Sequence, residues 1–251
     1  MRERNEHDLH AHSFDKAADV YDAARPDYPA EAVTWLLEGV TGAVLDLGAG
    51  TGKLTRAVLQ RHFQVTAVDP SAEMLRVLRE GSPEVDARVG SGERIPLPDH
   101  SVDAVVCGQA WHWVDPVATV PEVARVLHPG GRLGLVWNFR DDSVDWVREL
   151  GQLMHTADTY RGGDTQPDIQ PVVGAPFTEL ERHEVRWVQS TTVDGLLDLA
   201  RSRSYFITKD ARAQAAVIAS LRRLTAEHPA LAGRSVIELP YVTQAYRTRL
   251  A

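Results

Sequence analysis

Residues 43–55 read AVLDLGAGTGKLT, an apolar run that gives way to glycine at positions 48, 50 and 52. The helical period of KLTRAVLQRH follows at once. Alternating glycines between a strand and a helix leave little choice of architecture. They make a loop that can take positive φ and lie close against a ligand. Such a loop holds a phosphate, a dinucleotide or another nucleoside. A P-loop needs glycine where Leu47 stands and Ser or Thr where Leu54 stands, so the Mg²⁺-binding hydroxyl is missing. The dinucleotide fingerprint keeps Gly48 and Gly50 but meets Lys53 at its third glycine, which counts against it. Asp46, just before the loop, repels a phosphate and suits an ammonium group. The loop therefore leans towards a nucleoside that carries an amino acid. Asp69 closes the next strand-like run, FQVTAVD, where it is placed to accept ribose hydroxyls.

The remaining periodicities agree with such a loop. Strand-like runs VDARVGS, SVDAVVCGQA and GRLGLVWNF alternate with helical runs AEAVTWLLEG, SAEMLRVLREG and VATVPEVARVLHPGG. The last helix is expected to close on its proline–glycine stop, and Ser71 to cap the helix that ends at Gly81. This alternation predicts βαβ units in a doubly wound α/β sheet. After about residue 141 the pattern changes. Residues 161–176 read as a loop, ERHEVRWVQSTT as a strand, two helical runs follow, and SVIELPYVTQAYRTRL reads as a last strand. The expected layout is an N-terminal segment (1–30), a cofactor-binding core (31–140) and a last part (141–251) with a helical cap, all in one domain.

Charge and cysteine usage narrow the partners. The chain has 251 residues, a formal net charge of −8 and no block of Lys and Arg interleaved with aromatics, so a small molecule is expected rather than nucleic acid. The lone cysteine, Cys107, forms no intrachain disulfide and reads as a buried small hydrophobe in a cytoplasmic protein. No secretory signal or membrane-spanning run is visible, and a monomer or homodimer is expected. The histidines of HDLHAH have no Cys or Asp at metal spacing, so a disordered end and no metal site are expected there.

VLDLGAGTGKLT, AVDPSAEML and GSGERIPLPDHSVDAVVCGQAWHW, in this order over roughly a hundred residues, resemble the class I S-adenosylmethionine-dependent methyltransferases. YDAARPDYP, QAWHWVD and VWNFRDD resemble the trans-aconitate methyltransferase-like group within them. The resemblance implies a Rossmann-like seven-stranded sheet with its last strand antiparallel. It implies S-adenosylmethionine as cofactor and S-adenosylhomocysteine as product.

By the same resemblance Gly48, Ala49, Gly50 and Gly52 line the methionine part, and Asp46 orients its amino group. Asp69 binds the ribose, Pro70 and Met74 pack near the adenine, and Ser91, Gly92 and Glu93 meet its edge. Gln109 and Ala110 lie under the methionine portion. Tyr21, Arg25 and Tyr28 belong to a segment that folds over the cofactor, with Arg25 suited to grip the methionine carboxylate. His112 is a candidate base, since an imidazole titrates near neutrality; a substrate-positioning role and a plain core role stand beside that one. Trp113, Trp137, Asn138 and Tyr205 are candidate substrate contacts, while Arg140 and Arg203 read as solvated surface residues, with receipt of an anionic substrate as the alternative for either. The expected reaction is methyl transfer to a small molecule at a carboxylate or other oxygen. Nitrogen or carbon acceptors, and a binding module without transfer, are the alternatives.

Overall fold

A computed structural model describes residues 25–155 and 170–251. Tyr21, the HDLHAH histidines and residues 161–169 of the expected loop lie outside the described residues. The chain divides into two compact units. One contains residues 27–138, 170–185 and 243–251; the other contains, of the described residues, 25–26, 139–155 and 186–242.

In the first unit α1 (Ala30–Leu36) precedes β1 (Val44–Leu47), α2 (Lys53–Leu59) and β2 (Val65–Asp69). Next come α3 (Ala72–Gly81), β3 (Asp86–Val89) and β4 (Val102–Gly108). A single 3₁₀ turn, Trp111–Trp113, leads into α4 (Pro116–Val126) and β5 (Leu127–Arg140). Caps fix the helix starts: Ser71 Oγ accepts the Met74 N–H at 3.1 Å, and Asp115 accepts that of Val117 at 2.9 Å. β1 and β4 are buried on both faces, as central parallel strands must be, whereas β3 is largely exposed. β1 pairs in parallel with both β2 and β4, and β5 continues the parallel set beside β4.

The end of α4 departs from expectation. The helix stops at Val126, and Leu127 already pairs with Val102 as the first residue of a 14-residue strand. Pro129 explains this, because it disfavours helical φ/ψ at His128 before it and removes a donor. Gly130 takes φ +75° where the ladder is irregular. The stop signal therefore falls inside the strand.

The other unit holds α5 (Asp145–His155), most of β6 (Glu181–Thr191), α6 (Val193–Arg201), the short α7 (Ser204–Ile207), α8 (Ala211–Glu227) and the start of β7 (Ile237–Arg249). Trp146, Leu150, Met154, Leu197, Leu221 and Leu224 form its core. Thr192 and Asp210 cap α6 and α8 through the Gly195 and Ala213 N–H groups. The seven strands run in the order β3-β2-β1-β4-β5-β7-β6, with β7 antiparallel. The α/β class and the antiparallel last strand agree with the sequence reading. Among the described residues no helix is long and apolar enough to cross a membrane.

Candidate active site

Strand order reverses between β1 and β4, so the crevice of the sheet opens at the carboxyl ends of these two strands. The glycine loop leaves β1 at that point. Gly48, Gly50 and Gly52 all take positive φ, at +71°, +54° and +89°. Their surroundings differ. A Cβ on Gly48 would lie 2.6 Å from Ala110 Cβ, and one on Gly52 would lie 2.8 Å from Leu78 Cγ. A Cβ on Gly50 would meet nothing within 4 Å among the described residues. Two of the three glycines thus answer to neighbouring protein, whereas Gly50 has no such neighbour among the described residues. The N–H groups of Gly48 and Ala49 also point back into the fold, to Val68 O at 2.8 and 3.1 Å.

Asp69 ties the loop to β2. One carboxylate oxygen accepts the Gly50 N–H and the other the Ser71 N–H, each at 2.8 Å. The same side chain therefore ties the turn after β1 to the turn after β2. Pro70 next to it is exposed, while Met74 is buried in the first turns of α3.

Asp46 is 1% exposed. Its Oδ2 accepts the Thr55 hydroxyl at 2.6 Å, and its Oδ1 has no hydrogen-bond partner among the described residues. Burial pushes its carboxyl from the ordinary range up to about 7, with the Thr55 bond opposing and the Asp69 charge adding to the rise. Thr55 was not expected at the site. Its signal is faint: a hydroxyl on the apolar face of α2 between Leu54 and Val58. Cys107, two strand positions before Gln109, is buried, and burial beside the Asp46 charge drives its thiol well above the usual range.

At the end of β4 the chain turns sharply. Gln109 takes φ +56°, a strained choice for a residue with a Cβ. Its backbone N–H reaches Val136 O and its side-chain amide reaches Asn138 O, both at 2.9 Å, and these bonds hold the turn. Ala110 follows, then the turn that carries Trp111, His112 and Trp113. Trp111 is buried with its indole N–H on Val172 O at 3.1 Å, His112 is exposed and Trp113 is half-buried. The His112 and Trp113 rings stand 4.9 Å apart. Gly92 packs under this turn, where a Cβ would lie 2.9 Å from Thr119 and 3.0 Å from Val114. Ser91 is half-buried, and Glu93 accepts the Asp115 N–H at 3.0 Å.

Trp137 and Asn138, at the end of β5, are both buried. Asn138 accepts the Thr243 hydroxyl at 2.6 Å and donates to Asp27 O at 3.1 Å. Asp27 is gripped again by Lys53, whose Nζ lies 2.9 Å from its carboxylate. Lys53, which breaks the dinucleotide fingerprint, thereby fastens residue 27 to the start of α2. The Tyr28 hydroxyl comes close over Gly108, where an added Cβ would lie 2.5 Å from it. Arg25 is half-buried in the other unit, and the Tyr205 side chain lies outside the described residues. Arg140 corrects an expectation: it is 2% exposed, with its guanidinium on Met154 Sδ, rather than solvated. It is the last residue of a strand longer than the apolar run indicated. Arg203 is half-buried. Among the described residues no three His, Cys, Asp or Glu side chains are grouped to hold a metal ion.

Residues 45–135 match the family model described as a methyltransferase domain. An uncharacterized methyltransferase of Mycobacterium tuberculosis is 50% identical over 240 residues, covering 95% of this chain and 96% of that one. The chain is a class I S-adenosylmethionine-dependent methyltransferase. S-adenosylmethionine is its cofactor. A solved structure from Anaeromyxobacter dehalogenans, described as a type II methyltransferase, matches this methyltransferase with a TM-score of 0.63 at 27% identity, over 90% of this chain and 96% of that one. A ubiquinone biosynthesis O-methyltransferase of Xanthomonas oryzae pv. oryzae is 35% identical over 145 residues, 51% of this chain and 61% of that one.

Proposed function

We propose that this methyltransferase acts on a small molecule and places the methyl group on oxygen. The observation that carries the reading is the turn after β4, which sets the exposed imidazole of His112 among Trp111, Trp113 and Trp137. One polar group with aromatic neighbours suits a small, partly apolar acceptor. The net charge of −8 and the scattered arginines favour a small molecule over nucleic acid. The Xanthomonas relative, by its name, methylates oxygen.

The residues fit the cofactor. Asp46 keeps a buried carboxylate oxygen with no hydrogen-bond partner among the described residues, which suits the α-ammonium group. Gly50, where a Cβ would meet no atom of the described residues within 4 Å, suits the methionine portion beside it, with Gly48, Ala49 and Gly52 giving the loop its course. Asp69, an acceptor-only carboxylate at the carboxyl end of β2 beside the glycine loop, suits the ribose hydroxyls. Pro70 and Met74 would flank the adenine, Ser91, Gly92 and Glu93 its edge, and Gln109 and Ala110 the methionine chain. When bound, S-adenosylmethionine supplies a methyl group on an electrophilic sulfonium. The protein's part is then alignment: the acceptor oxygen must stand in line with the bond that breaks. A carboxylate becomes a neutral ester with no proton to lose, whereas a hydroxyl must give one up.

The test is a screen with isotope-labelled cofactor against cell extract split into small-molecule and macromolecular fractions. Label in a small molecule is expected. Mild alkali then releases it as methanol if the product is a methyl ester. Label confined to RNA or protein, or carried on nitrogen or carbon, would overturn the reading.

A further inference from the structure

The His112 imidazole is held from behind by a donor that admits only one arrangement of its protons. Trp137 is 2% exposed, and its indole stands edge-on to Tyr246 at 5.9 Å and 80°. An indole N–H donates and never accepts. Here Nε1–H points to His112 Nδ1 at 3.4 Å. A buried donor needs an acceptor, and among the described residues His112 Nδ1 accepts this one. In a neutral imidazole the accepting nitrogen carries no hydrogen, so the proton sits on Nε2.

We infer that Trp137 is a positioning residue that holds His112 in the Nε2–H form, so that His112 serves the site as a hydrogen-bond donor and not as a base. The inference rests on the oxygen-acceptor reading for its use, but the contact itself does not. A donor at Nε2 steadies an oxygen that is already negatively charged or carbonyl-like. It has no lone pair there to take a proton from a hydroxyl. Taking the proton at Nδ1 instead would strip the buried Trp137 N–H of its acceptor. The site is thus arranged for an acceptor oxygen that arrives ready to attack, with Trp137 setting that preference from the strand behind.

The two-nitrogen spectrum of His112 tests this directly. Full-length protein labelled with ¹⁵N-histidine and saturated with S-adenosylhomocysteine is examined at about pH 8.5, roughly two units above the ordinary imidazole value. His112 is expected to show an unprotonated Nδ1 and a protonated Nε2, with about a tenfold excess of that form. In Trp137→Phe the two tautomers should become comparable. An Nδ1–H signal in the native protein, or a Trp137→Phe spectrum identical to it, would overturn the inference. If Trp137→Phe does not fold, His112→Phe reads the contact from the other end: the Trp137 indole proton should move upfield, and an unmoved signal refutes the bond. Methylation of nitrogen in the extract screen would sink the oxygen reading while leaving the tautomer result as it stands, so the two failures are separable.

Discussion

Residues 44–55 and residues 193–227 both pack apolar side chains, yet they are specified in opposite ways. The first stretch is governed by backbone. Gly48, Gly50 and Gly52 adopt φ values that other residues rarely take, and Asp69 spans two turns through N–H groups rather than side chains. The second is governed by volume. α6 and α8 start on plain side-chain caps and bury Leu196, Leu197, Leu221 and Leu224 with no unusual dihedral. A region of the first kind is intolerant of almost any change at a few positions. A region of the second kind accepts many sequences of the right size. Sequence identity should therefore concentrate in the glycine loop and relax in the helices.

The comparison can be broken by substitution. The largest expected effect is Leu221→Ala in α8, a side chain 1% exposed. It should cost about 3 kcal/mol in denaturant unfolding while S-adenosylhomocysteine affinity by calorimetry stays within about twofold. A large loss of affinity would mean that the helical region shares in the cofactor site. Next comes the pair Gly52→Ala and Gly50→Ala. The first combines a φ of +89° with overlap against Leu78 and should lose about 2–3 kcal/mol of stability. The second meets only the strain, about 1–2 kcal/mol, but should weaken cofactor binding more than tenfold. Equal effects on binding would remove the distinction drawn between the two glycines.

Asp46→Asn follows. The Asp46 carboxyl is raised to about 7 in the fold, so between its ordinary value and 7 the folded protein holds a proton that the unfolded chain has lost. Stability of the cofactor-free enzyme should then fall as pH rises through that window, by about 2 kcal/mol against a ceiling of about 4 kcal/mol, since water entry relaxes the burial. The Asn variant should be flatter across the same range. It should also lose the rise in cofactor affinity that ionisation of Asp46 gives the native enzyme. A native stability that climbs from pH 4 to 7 in step with the variant would refute the assignment. The smallest effect is Lys53→Met. Its partner Asp27 is largely exposed, so stability should change by less than about 1 kcal/mol. A larger loss by thermal unfolding would show that residues 27–29 are held chiefly by that ion pair.

The same contrast explains what could be read from the chain alone. The strand–loop–helix course around Gly48–Gly52 was legible because glycine spacing and helical period are local signals. The separate tasks of the glycines were not, because they depend on Ala110 and Leu78, which lie far along the chain. The bonds that hold the Asn138 amide were not legible either, because Thr243 and Asp27 lie more than a hundred residues away on either side. Arg140 looked solvated by its chemistry, and only the length of β5 shows it buried. The 127–131 start of that strand was hidden by a proline–glycine pair that reads equally well as a helix stop.

Cys107 offers a practical consequence. It is the chain's single thiol and is buried on β4, in the electrostatic neighbourhood of Asp46. Alkylating reagents should reach it only when the strand beneath the crevice opens, so one labelling rate reports the opening of that strand alone. Slower labelling in the presence of S-adenosylhomocysteine would then give the linkage between ligand and strand without any mutation or attached probe. The enzyme carries its own reporter at the place where its chemistry is organised.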